Sequence, residues 1–537
     1  MLISLHTTQS RLLAWSYQQA TLLCLILITI GLLTACTTNP VTGKRELSLV
    51  SEQQELAIGK QYYGPYRQAQ GGDYVVDPTL TDYVQSVAQR LVQVSDRKLD
   101  YEFQVINDGT PNAWALPGGK IAIHRGLLLA LNSEAELAAV LAHEIIHAAA
   151  RHSAQSMQRD MLLQGAVMAA SVALADTKHR DLGLLGANLG AQLTGLHFGR
   201  DAEREADLYG IRYMLRAGYD PQAAIALQET FVRLKNNKQP GWIEGLFASH
   251  PPSQERVQNN RQLVQSLGNP GGRMGEDAYQ RATAHLRKTR EGYQKYDQAV
   301  QAVAENNLQH ALTLVNQALQ IEPKEALFHG LRGEIRQKQG RDTDALTNFN
   351  RALGFNPHYY RFHFARGLLH QKRQQPVAAQ RDLEASVALN PTAAGVFGLG
   401  ELAQARGDQA MAINYFHQVA KTQSALAKPA GKQLAQLDLA KHPARYLLTQ
   451  LAVDAKQRLV IKVQNTSQVQ VHQIRLWLGE RVGAGVQEKT TIRLPQTVPA
   501  EQSIVVKTQM TVPDQATLRR LVIKVDQARV WGDSQSP

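Results

Sequence analysis

A period of 34 residues is the feature of this 537-residue chain that most restricts its fold. Proline recurs with this step at Pro323, Pro357 and Pro391. Small residues recur with the same step at Ala311, Ala345 and Ala379, at Ala318, Ala352 and Ser386, and at Gly333 and Gly367. Small side chains let paired helices approach closely, and proline ends a helix. The period therefore predicts a stack of helix pairs, an α-solenoid, over residues 290–440.

This period and its fixed positions are typical of tetratricopeptide repeats. A fourth copy at Gly400–Ala420 is displaced by about one residue. Beyond about residue 443 the helical pattern ends, and short apolar stretches follow between turn residues. They are Leu459–Val463, Val471–Leu478, Thr490–Leu494, Ile504–Met510 and Leu521–Val525. This spacing predicts a β-sandwich over residues 444–537.

The sequence His-Glu-Ile-Ile-His at residues 143–147 has the spacing of a metal site. On a helix, His143 and His147 lie one above the other, so both imidazoles can reach one ion. Glu144 lies about 100° further round, where it can accept a proton from a water molecule beside the ion. Ser133 and Glu136 have the spacing of a capping box, which predicts that the helix begins there.

A catalytic zinc ion takes three protein ligands and keeps one position open. The third ligand is not the last histidine of an HExxHxxGxxH motif, because Ser153 stands there and His152 lies one place early. We interpret His152 either as a structural residue or as a residue that contacts a zinc ligand without binding the ion itself. A later helical stretch carries Glu203 and Asp207 on one face, and we predict that Glu203 binds zinc while Asp207 orients a ligand imidazole. Glu205 points nearly the opposite way from Glu203 and is predicted to be a surface or salt-bridging residue.

These segments resemble the metallopeptidase family that includes the CAAX prenyl proteases and the heat-shock membrane protease HtpX. The resemblance covers residues from about 40 to 270. It rests on Asn112–Gly119 (NAWALPGG), HEIIH at His143–His147, and Arg200–Asp207 (RDAEREAD). Asn39–Lys44 (NPVTGK) is similar to the lipoprotein members, and the repeat array matches the layout of a periplasmic member. The C-terminal β-sandwich has no counterpart there, so its role stays open.

The resemblance implies that His143, His147 and Glu203 bind one Zn²⁺ ion per chain and that Glu144 is the catalytic base. His250, in the sequence Ser-His-Pro at 249–251, matches a histidine that can occupy the fourth zinc position and hold the enzyme latent. An ordinary loop histidine before two prolines is the alternative.

Two short strands are predicted around the turn at Pro117–Gly119. Peptidases commonly hold a linear substrate as an added β-strand. We predict that the second strand pairs with substrate, through Lys120, Ile121, Ala122 and Ile123. A purely structural hairpin is the alternative.

Residues 1–35 have the features of a lipoprotein signal peptide. Arg11 precedes an apolar run at Leu22–Leu33, and Leu-Thr-Ala stands directly before Cys36. This pattern resembles a lipobox, which implies cleavage before Cys36, lipidation of that residue and anchoring at the periplasmic face of the outer membrane of a Gram-negative bacterium. Residues 36–55 would be a tether. An ordinary signal peptide and a transmembrane anchor are the alternatives.

We expect residues 56–270 to form a mostly helical α+β, zincin-like metallopeptidase domain. Within it, Met161–Ala175 and Leu182–Leu196 are apolar but shorter than the ~20 residues that a membrane span requires. We predict that they form a helical pair packed on the domain. An element that dips into the membrane or gates substrate access is the alternative.

The formal net charge is +12, but the chain has no dense Lys/Arg block and no nucleic-acid-binding motif, so nucleic acid is not an expected partner. We predict a zinc-dependent endopeptidase of the bacterial envelope that degrades misfolded or misassembled proteins, among them outer-membrane β-barrels. The repeats would bind substrates or partners, including the outer-membrane assembly machinery. The alternative is a non-catalytic chaperone or adaptor in outer-membrane protein assembly.

Overall fold

The computed structural model describes residues 36–159, 198–236, 245–483 and 485–531. The predicted signal peptide and the two apolar segments between residues 161 and 196 lie outside this part of the chain. Among the helices it describes, none has the length and hydropathy needed to cross a membrane. The chain divides into two compact units, Met1–Tyr359 and Tyr360–Pro537.

The first unit opens with a hairpin and two helices. They are β1 (Cys36–Thr38), β2 (Arg45–Leu47), α1 (Glu52–Ala69) and α2 (Pro78–Val92). The hairpin strands pair antiparallel, and Ser51 caps α1 by accepting a hydrogen bond from the Gln54 amide. The apolar face of α2, which includes Leu80 and Leu91, is buried.

Residues 36–55, which begin with the hairpin, pack against the rest of the first unit. Asn39 is buried, and its Nδ2 donates to Glu205 Oε1 at 3.1 Å. Glu46 accepts from Gln155, and the Leu49 amide donates to the side chain of Gln158. A free linker would leave these polar groups in solvent. This segment, which was predicted to be a tether, therefore contains a hairpin that is docked on the rest of the unit.

A three-stranded sheet follows, in the order β3-β5-β4. Its strands are β3 (Glu102–Ile106), β4 (Ala113–Leu116) and β5 (Lys120–His124). Strand β5 is parallel to β3 and antiparallel to β4. The turn between β4 and β5 needs glycine, because Gly118 and Gly119 have φ angles of +76° and +80°. The predicted pair of strands is confirmed.

The helix that carries HEIIH lies at the centre of this unit. After a short α3 (Arg125–Leu128), α4 (Glu134–Ala149) buries nearly all of its side chains. Ser133 caps α4 as predicted, since its Oγ accepts from the Glu136 amide at 3.1 Å. The Glu136 carboxylate accepts instead from the Asn132 amide, so the second half of the predicted capping box is not formed with Ser133.

Four further helices surround or follow α4. They are α5 (Arg200–Arg216), α6 (Gln222–Asn236), α7 (Leu246–Ser249) and α8 (Gln254–Ser266). Helix α5 packs along α4, and α8 packs on both α5 and α6. Gly210 permits the close approach of α5, because a Cβ there would stand 3.4 Å from the backbone nitrogen of His143. This contact sets the carboxylates of α5 beside the histidines of α4.

The first unit ends with two helix pairs. Short helices α9 (Glu276–Ala282) and α10 (Ala284–Lys288) lead into α11 (Arg290–Ala304), α12 (Leu308–Ile321), α13 (Ala326–Lys338) and α14 (Asp342–Phe355). Pro323 and Pro357 each follow the second helix of a pair by two residues. Gly333 lies against Phe349, where an added Cβ would stand 2.6 Å from the ring. The small residues and prolines of the repeat therefore have the predicted roles: the small residues allow close helix packing, and each proline follows the end of a helix pair.

The second unit continues with helices of the same kind. They are α15 (Tyr360–Lys372), α16 (Pro376–Leu389), α17 (Ala393–Ala405), α18 (Gln409–Ala420) and α19 (Ala427–Asp438). Gly367 lies against Leu383 and Gly400 against Phe416, as Gly333 lies against Phe349 in the first unit. The displaced fourth copy is thus a helix pair with the same packing.

The rest of the second unit is a sandwich of two antiparallel sheets, as predicted. One has the order β10-β7-β6 and the other β11-β8-β9. The strands are β6 (Leu447–Val453), β7 (Arg458–Asn465), β8 (Val471–Val482), β9 (Gly485–Leu494), β10 (Ser503–Thr511) and β11 (Leu521–Val530), with α20 (Gln515–Arg520) before the last. Ile461 of one sheet and Leu476 of the other belong to a single buried core.

Candidate metal centre

Four side chains from three parts of the chain converge beside the C-terminal half of α4. His143 and His147 come from α4, Glu203 from the first turn of α5, and His250 from the residue that ends α7. One candidate ligand atom from each lies within 4.8 Å of the others. The structure thus brings together the three residues predicted to bind the metal and the fourth predicted from the Ser-His-Pro sequence.

The separations within this group fit a single tetrahedral ion. His143 Nε2 lies 3.0 Å from His147 Nε2 and 3.3 Å from His250 Nδ1. Glu203 oxygens lie 3.5, 3.4 and 2.9 Å from ring nitrogens of His143, His147 and His250. Zinc bonds of about 2.0–2.1 Å would place neighbouring ligand atoms roughly 3.3 Å apart. The donor set of imidazoles and one carboxylate is also one that zinc accepts.

The charges of the cluster favour a cation at its centre. Burial alone would lower the pKa of His143, but Glu203 and Asp207 outweigh burial and raise it to about 10. Burial lowers the pKa of His147 well below its usual value. Burial opposes ionisation of Glu203, yet the positive charges of His250 and His143 hold its pKa well below the ordinary value.

Glu144 lies at the edge of the same cluster and has an incompletely bonded carboxylate. Its side chain is 1% exposed, and its Oε1 stands 3.5 Å from His250 Nε2. Within the described residues, its Oε2 is buried without a hydrogen-bond partner. Such an atom is expected where a water molecule or substrate group is to be bound. Burial raises the pKa of Glu144.

Asp207 holds His143 from behind, as predicted. Its Oδ1 lies 3.1 Å from His143 Nδ1. Asp207 also accepts two hydrogen bonds of 2.7 Å from Arg256 on α8, and the same guanidinium lies 2.8 Å from Glu203 Oε2. Burial opposes ionisation of Asp207, but Arg256 and His143 lower its pKa. Arg256 thus places one positive charge between two buried carboxylates of the site.

Sequence reasoning missed Arg256 and Phe198. Arg256 is 49 positions from Asp207, and its position six residues after His250 was the only local signal. The Phe198 ring stacks on His147, with centroids 3.9 Å apart and an interplanar angle of 20°. Phe198 directly precedes the Gly-Arg sequence that begins α5, but nothing in its spacing indicated a contact with a histidine on another helix.

His152 and Glu205 are also closer to the centre than the sequence suggested. His152 is not among the group that could bind the ion, in agreement with its interpretation. Its Nδ1 lies 2.9 Å from His147 Nδ1, and its Nε2 lies 3.3 Å from Glu205 Oε1. Glu205 was predicted to be a surface or salt-bridging residue, and the structure places its carboxylate within hydrogen-bonding distance of His152, on the side of the site.

The strand predicted to bind substrate is the central strand of its sheet. Lys120, Ile121, Ala122 and Ile123 belong to β5, which has β3 on one side and β4 on the other. Strand addition requires an edge with free backbone groups. Lys120 is itself buried in contacts with Asp100 and Glu102. Pairing of substrate with these residues therefore does not fit the structure, because β5 already has a strand on each side.

Comparisons with known proteins agree with this geometry. Residues 78–264 match the model of peptidase family M48. The β-barrel assembly-enhancing protease of Yersinia pestis is 34% identical over 199 residues, which are 36% of this chain and 40% of that protein. The mitochondrial metalloendopeptidase OMA1 of Schizosaccharomyces pombe is 34% identical over 221 residues, which are 41% of this chain and 63% of the relative.

The chain therefore spans less than two thirds of the length of each of these relatives. Among solved structures, the tetratricopeptide protein YrrB aligns with a TM-score of 0.26 and 20% identity, over 30% of this chain and 82% of its own. The M48 match contains His143, His147, Glu203 and His250. Residues 78–264 are thus similar to peptidase family M48, and the chain resembles the β-barrel assembly-enhancing proteases in sequence.

Proposed function

We propose that this protein is a zinc-dependent endopeptidase in which His143, His147 and Glu203 hold the ion. The observation that carries the proposal is the convergence of these side chains from α4 and α5 within bonding range of one point. The buried, partnerless Oε2 of Glu144 beside that point supports a hydrolytic role rather than a purely structural metal site.

The chain's own residues would carry the proton transfers. When bound, zinc would polarise the scissile carbonyl and make a water molecule acidic enough to lose a proton near neutral pH. Glu144 would accept that proton, since burial makes its carboxylate more basic than an exposed one. The protonated Glu144 would then donate to the nitrogen of the departing amine. Asp207 would keep the His143 imidazole in the tautomer that leaves Nε2 free for the metal.

His250 would occupy the fourth position in a latent state. Its Nδ1 lies 2.9 Å from Glu203 and 3.3 Å from His143 Nε2, which is as close as the ligands lie to one another. A catalytic site needs this position for water or substrate. Activation would therefore require His250 to move away, and its place at the end of the short α7, before two prolines, makes such a movement local.

Extended polypeptide is the substrate that the sheet favours, bound along β4 (Ala113–Leu116). This strand has a strand neighbour on one side only, and α4 packs against it. Ser153 donates to the carbonyl of Ala115 at 3.3 Å, so part of the outer edge already carries a contact. A substrate strand would pair with the backbone groups that remain, which gives affinity with little dependence on side chains.

The natural substrates would be misfolded or misassembled envelope proteins, including outer-membrane β-barrels. The names of the bacterial relatives support this class. The helix pairs of the repeats, α11 to α14 in the first unit and α15 to α18 in the second, would bind substrates or the outer-membrane assembly machinery. Lipidation of Cys36, the first residue of β1, would anchor the chain at the periplasmic face of the outer membrane. Mass spectrometry of the mature N-terminus would test that anchor.

Cleavage of unfolded casein by the Glu144→Gln variant tests the enzymatic proposal against the adaptor alternative. We expect the variant to retain zinc and to lose activity by a factor of about 10²–10⁴, the usual contribution of a general base. Glu136→Gln, on the same helix but outside the cluster, is the matched control and should keep wild-type activity. No cleavage by zinc-loaded wild type would favour the adaptor, whereas equal cleavage by wild type and Glu144→Gln would show that Glu144 is not the catalytic base.

A further inference from the structure

A hydrogen-bonded chain runs from a proposed zinc ligand to the N-terminal hairpin. His147 Nδ1 lies 2.9 Å from His152 Nδ1, and His152 Nε2 lies 3.3 Å from Glu205 Oε1. The same Glu205 oxygen accepts from Asn39 Nδ2 at 3.1 Å. His152 is 2% exposed and Asn39 1% exposed, so water contributes little to these contacts.

Each link of this chain has a defined direction if His147 binds the ion through Nε2. The Nδ1 of His147 then carries the hydrogen and donates to His152 Nδ1. His152 must therefore carry its own hydrogen on Nε2, which donates to the Glu205 carboxylate. Asn39 can only donate from Nδ2, and a carboxylate can accept both hydrogens. One arrangement of hydrogens satisfies all the contacts, and it leaves the Nε2 lone pair of His147 directed at the cluster.

The backbone at the end of α4 is shaped to place His152 in this chain. Arg151 has a φ angle of +64°, a left-handed conformation that costs free energy for a residue with a side chain. Its side chain offsets that cost through buried contacts with Glu55 Oε2 and the Val50 carbonyl, both at 2.8 Å. The reversal at Arg151 turns the chain so that His152 meets the imidazole of His147, one turn earlier.

The hairpin end of the chain is equally well held. Asn39 Oδ1 accepts from the amides of Val41 and Thr42, which fixes the turn between β1 and β2. Its Nδ2 also donates to Glu46 on β2. The hydrogen-bond donor that reaches Glu205 is therefore part of a rigid turn, not a mobile side chain.

We propose that His152, Glu205 and Asn39 act as positioning residues for the zinc ligand His147, so that docking of the N-terminal hairpin contributes to metal affinity. Asp207 and Arg256 serve His143 in the same way on the other side of the site. The proposal rests on the proposed function, because it assumes that His147 is a ligand. The new element is that the zinc affinity of the site would depend on Asn39, in the hairpin that begins at Cys36.

Zinc affinity of the full chain, measured by competition with a chromogenic chelator, tests the proposal without an activity assay. For His152→Ala and Glu205→Ala we expect the dissociation constant for zinc to rise about 10–100-fold, the usual effect of removing the partner of a ligand. Asn39→Ala should raise it less, because His152 and Glu205 remain. Glu205→Gln should stay near wild type, since its amide oxygen can still accept both hydrogens.

Glu229→Ala is the matched control, because Glu229 is an exposed glutamate paired with Arg261 far from the cluster. The melting temperature of each metal-free variant separates positioning from general destabilisation, which would lower that temperature without changing zinc affinity. If the Glu205→Ala and Asn39→Ala variants bind zinc as tightly as wild type, the proposal that these residues position His147 is wrong. If wild type itself binds no zinc, the proposed function fails instead.

Discussion

Arg256 donates two hydrogen bonds of 2.7 Å to Asp207, and its guanidinium also lies 2.8 Å from Glu203. One buried cation thereby serves both the proposed metal ligand and the residue that orients His143. Without Arg256, two carboxylates would share a buried site with only histidines and the metal ion to offset their charge. The geometry of the centre therefore depends on α8 as much as on α4 and α5.

Replacement of Arg256 by alanine should destabilise the first unit strongly. Removing one member of a buried ion pair leaves the other charge uncompensated and costs about 3–5 kcal/mol. Urea unfolding followed by circular dichroism measures this loss. Arg261→Ala on the same helix, where the ion pair with Glu229 is exposed, should cost no more than about 1 kcal/mol. Similar losses for both variants would show that the Arg256 contacts carry little free energy.

Replacement of His250 by alanine should increase proteolysis. If the latent arrangement is occupied nine times in ten, removing the side chain that closes the fourth position raises the apparent rate about tenfold. Casein cleavage at saturating zinc measures the change. Ser249→Ala, which alters the neighbouring residue but no member of the cluster, should cleave at the wild-type rate. A lower rate for His250→Ala would assign the histidine to catalysis rather than to latency.

The packing of the repeat helices predicts that a glycine-to-alanine substitution changes stability in opposite directions at two positions. At Gly333, a methyl group would stand 2.6 Å from the Phe349 ring, so Gly333→Ala should destabilise by about 1–3 kcal/mol. At Gly354, an exposed site on α14, nothing lies within 4 Å of the added carbon. Gly354→Ala should stabilise by about 0.5–1 kcal/mol. Thermal unfolding of both variants measures this, and equal shifts would contradict the packing.

Asp382 in the second unit should make stability depend on acid. Burial opposes its ionisation, but hydrogen bonds from His363 and Arg366 lower its pKa to about 2. Because the folded pKa lies below the ordinary 3.8, the stabilisation is complete above about pH 4 and is lost as the pH falls towards 2. The stability difference between wild type and Asp382→Asn should shrink across that range.

Urea unfolding between pH 5 and pH 2.5 measures this difference. Glu384→Gln, an exposed change on the same helix, should show the wild-type dependence on pH. A constant difference between wild type and Asp382→Asn would mean that the ion pair does not titrate with folding.

Local signals made much of the fold predictable. The 34-residue step fixed the places where helices end, and Pro323 and Pro357 do follow the second helix of each pair by two residues. The i, i+4 spacing of the histidines and of Glu203 with Asp207 predicted that each pair shares one helix face, and the structure brings these four side chains together. The period of a helix alone decides which side chains share a face.

Contacts between distant segments could not be predicted. Every residue of β5 is buried, so the alternation that would separate an outer from a central strand is missing, and its place in the sheet was misjudged. The burial of Asn39 depends on Glu205, which lies 166 positions away. The residue types of this segment indicate only its local conformation, and on that basis a tether was predicted. The docking of the hairpin depends instead on a contact with Glu205 of α5.

The central claim is that two imidazoles of α4 and one carboxylate of α5 bind a single ion. An anomalous difference map from a crystal of the zinc-loaded protein, recorded at the zinc absorption edge, tests it most directly. We expect one strong peak per chain within about 2.0–2.2 Å of nitrogen atoms of His143 and His147 and an oxygen of Glu203. A peak elsewhere, or none at these residues, would contradict the account.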